Sequence, residues 1–282
     1  MGLIGVTGAS GGVGSRTAAR LAARGADQRL IVRDASRAPS LDRAGVATAR
    51  GGYGDGDGMR RALEGVETLF LIPAAEDEHR VDQHVAAIDA AVAAGVQRIV
   101  YLSFLNASPD ATFTFVRDHF ATEELVEATG LPHAFLRMSL YLDFVPMMRS
   151  EDGVIRGPAN GGRVAPVTRD DIADVAATVL SSFGDHEGRT LDLTGPEALT
   201  LQEIADELSR ASGEEVRFED ETIEAARASR AGSGAPAWMV EGWITTYVAI
   251  ARGELDRVSE DVQRVTGHPP TGVREYLEAN AA

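Results

Sequence analysis

The chain has 282 residues, enough for one large α/β domain with a smaller appendage, and no run approaches the roughly 18 uninterrupted apolar residues of a membrane span. It contains no cysteine, and all 27 basic residues are arginine, which excludes thiolate nucleophiles, disulfides, sulfur-ligated metals and Schiff-base lysines. A net charge of −16 argues against nucleic acid as a partner, because that affinity rests on clustered cations.

Short apolar runs alternate with helical patterns over the first two-thirds, the signature of a doubly wound, mostly parallel sheet. Strands are read at Leu3 to Thr7, Arg29 to Arg33, Val46 to Ala49, Thr68 to Ile72, Arg98 to Ser103, His133 to Arg137 and Thr190 to Leu193. Every early strand but the third is expected to precede a helix. Ser15 to Arg24 stops at Gly25, Val81 to Ala94 at Gly95, and Phe115 to Ala128 near Gly130. The opening segment enters its first strand with no basic or apolar leader, so the expected compartment is cytoplasmic. The glycine- and proline-rich stretch Ser150 to Thr168 reads as loop or short hairpin. Thr168 with Asp171, and Thr200 with Glu203, then read as capping pairs that start two helices. A short strand in EVRFED, a linker from Gly232 to Pro236 and a helix from Ala237 to Ala251 follow. The resulting division is a Rossmann domain over 1–150 with 168–195 returning to it, and a smaller α+β lobe made of 196–282 with 151–167.

Thr7-Gly8-Ala9-Ser10-Gly11-Gly12-Val13-Gly14 joins the first strand to the first helix. Gly8 permits a tight turn, Gly11 lets the backbone approach a pyrophosphate, and Gly14 lets the helix pack on the strand, while the helix start offers N–H groups to an anion. This is a nicotinamide-dinucleotide loop. The second strand ends in Arg33, where an NAD site usually has an acidic residue. Arg33, supported by Arg37, therefore favours NADP(H) over NAD(H), with Asp34 left either to pair with Arg33 or to reach the ribose.

The ordered set TGASGGVG, Arg33, Tyr53-Gly54-Asp55, ALEGVETLFLI, AAGVQRIVYLS, LPHAFLR and GHPPT resembles the NmrA-like atypical short-chain dehydrogenases, nearest to their NADPH-dependent quinone reductases and triphenylmethane-dye reductases. The resemblance implies an extended Rossmann fold with NADP(H) along the strand carboxyl ends and a C-terminal lobe over the substrate. It implies cofactor contacts at Gly8 to Val13, Arg33, Leu71, Ile72 and Pro73, and a nicotinamide and substrate pocket shaped by Tyr141 to Phe144. It also exposes departures. Where alcohol-oxidising members carry Tyr-x-x-x-Lys, this chain has Phe115 to His119, so neither catalytic partner is present. His119 resembles a histidine of the quinone and dye reductases, there to hold the nicotinamide ribose or lend a proton, or else it is a buried ring satisfied by a backbone carbonyl. Gly52 replaces the usual adenine-binding aspartate, with Asp55 either compensating or capping a helix, and Met138 replaces an asparagine.

Ser103 ends the fifth strand, where its hydroxyl either faces the nicotinamide or caps the next turn. Tyr141 is a candidate proton donor. His79 and His84 among Glu76, Asp77 and Glu78 match no compact metal site, and no metal is expected. Trp238, Met239, Trp243 and Tyr247 recur at helical spacing as core, dimer face or substrate lid. The expected function is direct hydride transfer to a quinone-like or other conjugated, aromatic small-molecule acceptor, by a monomer or homodimer. The alternative is a non-catalytic NADP(H)-binding redox sensor.

Overall fold

The computed structural model describes residues 2–41 and 43–280. In chain order the elements are β1 (Ile4–Val6), α1 (Gly12–Ala23), β2 (Gln28–Val32), β3 (Val46–Arg50), α2 (Gly56–Leu63), β4 (Thr68–Leu71), α3 (Arg80–Ala94), β5 (Arg98–Phe104), α4 (Thr114–Ala128) and β6 (His133–Met138). They continue as β7 (Val154–Gly157), β8 (Arg163–Val164), α5 (Arg169–Ser181), β9 (Thr190–Leu193), β10 (Leu199–Thr200), α6 (Leu201–Ser212), β11 (Arg217–Asp220), α7 (Ile223–Arg230), α8 (Ala237–Ala251), α9 (Asp261–Thr266) and α10 (Val273–Asn280). One seven-stranded sheet runs in the order β3-β2-β1-β4-β5-β6-β9. The pairs β1/β2, β1/β4, β2/β3 and β4/β5 are parallel. The strand order reverses between β1 and β4, the switch point outside which ligands of such sheets bind.

Two compact units emerge. The first comprises Met1–Ser103, Asp118–Arg137 and Arg169–Leu191; the second comprises Phe104–Arg117, Met138–Thr168 and Asp192–Ala282. The second unit thus takes 104–117 and 138–150 as well, residues that the sequence reading placed with 168–195 in the first.

In the first unit, Ile31, Leu69, Leu71, Ile99 and Tyr101 meet Met59, Leu63, Ala87, Ile88 and Ala91 in a single apolar cluster. Strands buried on both faces read as apolar runs rather than alternations, which is why they stand out in the sequence. Helices α1 and α5 run side by side through a ladder of constant spacing. Arg16 and Arg20 hold Asp170 at 3.1 and 2.8 Å, Arg20 holds Asp174 at 2.6 Å, and Arg24 donates to the Thr178 hydroxyl at 2.9 Å.

Three expectations are corrected. The second strand is followed by a single 3₁₀ turn over Ala35–Arg37, and the helix in this region, α2, follows the third strand. Gly56 and Gly58 lower its propensity and hide it, but the Asp55 carboxylate caps the Gly58 N–H at 2.9 Å and Met59, Ala62 and Leu63 bury the inner face. Ser150 to Thr168, expected as loop or short hairpin, opens with a tight turn closed by the antiparallel bridge of Arg149 and Ile155, but β7 then pairs in parallel with β11 and β8 antiparallel with β10. The third is the aromatic stripe of α8, whose members part company. Trp238 packs on Phe115 with ring centroids 5.8 Å apart, Tyr247 lies beneath Arg230, and Trp243 is exposed; the face turned inward carries Gly242, Ile244, Ala249 and Ile250. By contrast α6 starts with the full reciprocal capping box of Thr200 and Glu203.

Candidate cofactor site

The loop after β1 is built by backbone contacts that only glycine allows. Gly8 has φ 57°, in the left-handed region. A Cβ on Gly14 would lie 2.3 Å from the Gly8 carbonyl oxygen and 2.9 Å from the Ala9 Cα, so the first turn of α1 presses on the loop. The Gly11 N–H donates to the Gly8 carbonyl at 2.8 Å, and the Ala9 N–H reaches the Ile31 carbonyl at 3.4 Å. Gly11 is the N-cap of α1 and brings no capping side chain, and the first turn carries no acidic residue. Ser10, Gly11 and Gly12 are exposed. A helix start of this kind offers N–H groups and positive partial charge to an anion, which is the chemistry a pyrophosphate requires.

Thr7 stitches the loop to the neighbouring strand. Its hydroxyl donates to the Phe70 carbonyl at 3.1 Å and accepts from the Ile72 N–H at 2.8 Å, while the Tyr53 hydroxyl lies 2.9 Å from it and also on the Ile72 carbonyl. Tyr53 therefore ties β4 to the segment after β3, a role its sequence motif did not disclose. Leu71 is fully buried in the apolar cluster, so of the three residues expected along the cofactor only Ile72 and Pro73 are partly accessible.

At the end of β2, Asp34 caps its own turn. Its carboxylate accepts from the Ser36 N–H at 3.0 Å and from the Ser36 hydroxyl at 2.8 Å, which holds its pKa below the usual range with help from Arg37 and Arg50. Among the described residues it forms no ion pair with Arg33. Arg33 and Arg37 are exposed and have no carboxylate partner there. Arg50, level with Val32 in the parallel register, is a third exposed arginine at this corner. Sequence reading missed it because strand pairing alone brings it beside Arg33. These residues fit the 2′-phosphate of a dinucleotide, as the glycine loop fits its pyrophosphate.

Behind the switch point lies a buried polar network. His84 Nε2 accepts the Ala74 N–H at 2.9 Å and Nδ1 lies 2.7 Å from the Thr122 hydroxyl, which itself donates to the Asp118 carbonyl at 2.6 Å. His119 Nδ1 lies 3.0 Å from the Tyr101 hydroxyl, a phenol partner that the sequence reading did not name. His79, by contrast, is exposed at the start of α3. Burial, reinforced by the Arg80 cation, depresses His84 to about 3 and His119 well below the normal imidazole value. The same burial favours the neutral form of both rings.

This has a thermodynamic consequence. Both histidines protonate near 6.5 when unfolded but not when folded, so the unfolded state binds more protons as pH falls, and stability is lost downward from about 6.5. Each contributes up to about 1.4 kcal/mol per pH unit. Carboxylates with depressed pKa, such as Glu207 at about 2 beside Arg274 and Arg210, add their losses only at lower pH. Urea midpoints are expected to fall between pH 6.5 and 5, and the variant carrying His84→Asn with His119→Gln to show a much flatter slope; an unchanged slope would assign the effect elsewhere.

Ser103 neither caps the next turn nor stands open. It is fully buried, and its hydroxyl donates at 2.6 Å to Glu123, which Arg137 grips through Nε at 2.9 Å and through Nη2. Serine, carboxylate and guanidinium together tie β5, α4 and β6.

Tyr141 and Phe144 belong to the second unit. The 3₁₀ helix Leu142–Met148 has three residues per turn, so Leu142 and Val145 point inward while Tyr141, Phe144 and Met147 share the other side. Tyr141 meets Phe144 edge to face at 5.6 Å, and Phe144 and Met147 are 45% and 65% exposed, an apolar ledge rather than a packed corner. Phe115, in the position where a catalytic tyrosine would stand, is packed between Phe113 and Trp238. Among the described residues no group of three or more histidine, aspartate or glutamate side chains could hold a metal ion, and no helix is long and apolar enough to cross a membrane.

The model of the NmrA-like family matches residues 1–233. The chain belongs to the NmrA-like family. A (4-alkanoyl-5-oxo-2,5-dihydrofuran-3-yl)methyl phosphate reductase from Streptomyces griseus subsp. griseus is 36% identical over 281 residues, covering 98% of this chain and 97% of that one. The NADPH-dependent quinone oxidoreductase from Escherichia coli, solved with NADPH, superposes with a TM-score of 0.89 at 32% identity, covering 98% of this chain and 99% of that one. The triphenylmethane reductase of Citrobacter sp., solved with NADP(H), does so at 0.86 and 31%, covering 99% of this chain and 99% of that one. The Rossmann-like fold expected from the sequence is shared with both solved structures.

Proposed function

We propose that this NmrA-like protein is an NADPH-dependent reductase that delivers a hydride directly to a conjugated, electron-poor acceptor of the quinone class. The observation that carries the reading is the pairing of the glycine loop, where Gly14 leaves no room for a Cβ, with the exposed arginines 33, 37 and 50 at the end of β2 and β3. The first recognises a pyrophosphate and the second distinguishes a 2′-phosphate from a bare ribose. The relatives' names support the reading, since a quinone, a triphenylmethane compound and an unsaturated lactone are all conjugated.

Bound nicotinamide supplies the hydride; the protein's residues position and shield. A quinone takes one hydride and one proton to become a hydroquinone, and its oxygens need only a mild proton source. The absence of a Tyr-Lys pair at Phe115 and His119 therefore suits this chemistry, with orientation supplying most of the rate. In this reading Ile72 and Pro73, partly accessible after β4, line the nicotinamide.

NADPH consumption followed by absorbance against a panel of quinones and cationic dyes, with NADH alongside, tests this. Turnover is expected with NADPH at a kcat/KM at least about tenfold above NADH, the scale of one lost charge-assisted contact. Tight binding of NADPH without turnover of any acceptor would reject the reductase in favour of a sensor.

A further inference from the structure

Beyond the end of β4 the chain leaves the sheet, yet side chains hold its next residues through their backbone groups. The Ile72 N–H donates to the Thr7 hydroxyl at 2.8 Å, and the Ile72 carbonyl accepts from the Tyr53 hydroxyl. The Ala74 N–H donates to His84 Nε2 at 2.9 Å, and the Ala74 carbonyl accepts from Nε of Arg80, also at 2.9 Å. All of these residues belong to the first unit. Ala74 is buried between the partly accessible Ile72 and Pro73 and the exposed residues 75–79, so its two bonds separate a fixed edge from a loop in solvent.

Arg80 and His84 stand one turn apart on α3, so a single face of the helix grips both polar groups of one residue. Buried backbone groups need partners, but ionisable side chains are costly ones. His84 is fully buried and Arg80 is 4% exposed, with its ion-pair partner Asp118 3.8 Å away and Nη1 without a hydrogen-bond partner among the described residues. What the imidazole brings is direction. A backbone N–H can only donate to Nε2, so the ring proton sits on Nδ1 and goes to the Thr122 hydroxyl at 2.7 Å, which in turn donates to the Asp118 carbonyl at 2.6 Å. The relay starts on the backbone next to Pro73 and ends on the backbone of α4. The Tyr53 and Tyr101 rings, with centroids 5.8 and 6.2 Å from that of His84, pack about the imidazole between these two ends.

We propose that His84 is a positioning residue for the nicotinamide: by fixing Ala74 against α3 and α4, with Arg80 on the carbonyl, it holds Ile72 and Pro73 as the wall on which the ring lies. The proposal rests on the dinucleotide reading above, in which Ile72 and Pro73 line the nicotinamide, and names the side chains that set that wall. It confines their effect to one end of the cofactor. The phosphates belong to the glycine loop and to the arginines at the ends of β2 and β3, none of which touches the relay, so a ligand without nicotinamide is indifferent to His84.

Calorimetric titration of NADPH and of 2′-phospho-ADP-ribose, the same nucleotide without its nicotinamide, into the full chain tests this. His84→Leu is expected to weaken NADPH by at least about tenfold while leaving 2′-phospho-ADP-ribose within about twofold, the scale of a misplaced contact surface. His84→Gln, whose Oε1 can accept the Ala74 N–H, should recover most of the NADPH affinity. Hydrogen exchange of the ligand-free chain should show the peptide across residues 72–80 exchanging faster in His84→Leu and near the wild-type rate in His84→Gln. If His84→Leu does not fold, Thr122→Val removes the far end of the relay without touching Ala74 and should shift the ratio of the two affinities in the same direction, by about threefold. An equal loss for both ligands, an unchanged ratio, or His84→Gln no better than His84→Leu would overturn the proposal while leaving the cofactor reading intact. A wild-type chain that binds neither ligand would overturn both.

Discussion

Arg137→Met is expected to cost about 3–5 kcal/mol of folding stability, the largest loss anticipated from a single side chain here. Glu123 is only 4% exposed, and its two carboxylate oxygens are satisfied by the Arg137 guanidinium and the Ser103 hydroxyl. Without the guanidinium, a carboxylate stays buried with one neutral donor, and the desolvation it suffered on folding is no longer offset. Arg137 itself is partly accessible, its side chain 26% exposed, so water relieves some of the loss and the lower end of the range is the better expectation. Adding Glu123→Gln to Arg137→Met should restore most of the stability, because the buried charge has then gone. Urea unfolding of wild type, single and double variants measures this directly. A single-variant loss below about 1 kcal/mol would mean that the pair behaves as a surface salt bridge.

Gly14→Ala should abolish useful cofactor binding, weakening NADPH by about a hundredfold or more, equivalent to about 2.7 kcal/mol. The added methyl meets the Gly8 oxygen at 2.3 Å, the Gly8 carbonyl carbon at 2.8 Å and the Ala9 Cα at 2.9 Å. All three are backbone atoms of the loop that must present its N–H groups, so no side-chain rotation can make room. Either α1 moves off β1 or the loop deforms, and overpacking of this kind also costs about 1–3 kcal/mol of stability. Gly11→Ala is the graded comparison, because its Cβ would lie 3.1 Å from the same oxygen, a contact that a small shift relieves. Fluorescence titration with NADPH should therefore rank wild type first, then Gly11→Ala, then Gly14→Ala. Equal affinity for wild type and Gly14→Ala would remove the loop from the cofactor site.

Legibility varied with the range of the interaction. The strands of the parallel sheet, the helix stops at Gly25 and Gly95 and the Thr200 capping box follow from local chemistry, and residues near each other in sequence carried the signal. Helix α2 was missed for an equally local reason, since two glycines weaken its pattern while burial of Met59, Ala62 and Leu63 sustains it. The parallel pairing of β7 with β11 spans some sixty residues, and no local periodicity announces such a partner.

The sequence by itself determined that the chain carries a dinucleotide turn, that arginine replaces the acid at the end of β2, and that cysteine, lysine and the Tyr-Lys pair are unavailable to any mechanism. These are properties of residue type and short spacing, and folding cannot change them. Only the tertiary structure decided what the ambiguous side chains do. His119 became a neutral ring beside Tyr101, Ser103 the donor to a buried carboxylate, and Asp34 the cap of its own turn. Each outcome depends on a partner, and for His119 and Ser103 that partner is remote in the chain, so a hydroxyl or imidazole acquires its role only when packing removes water and supplies the neighbour.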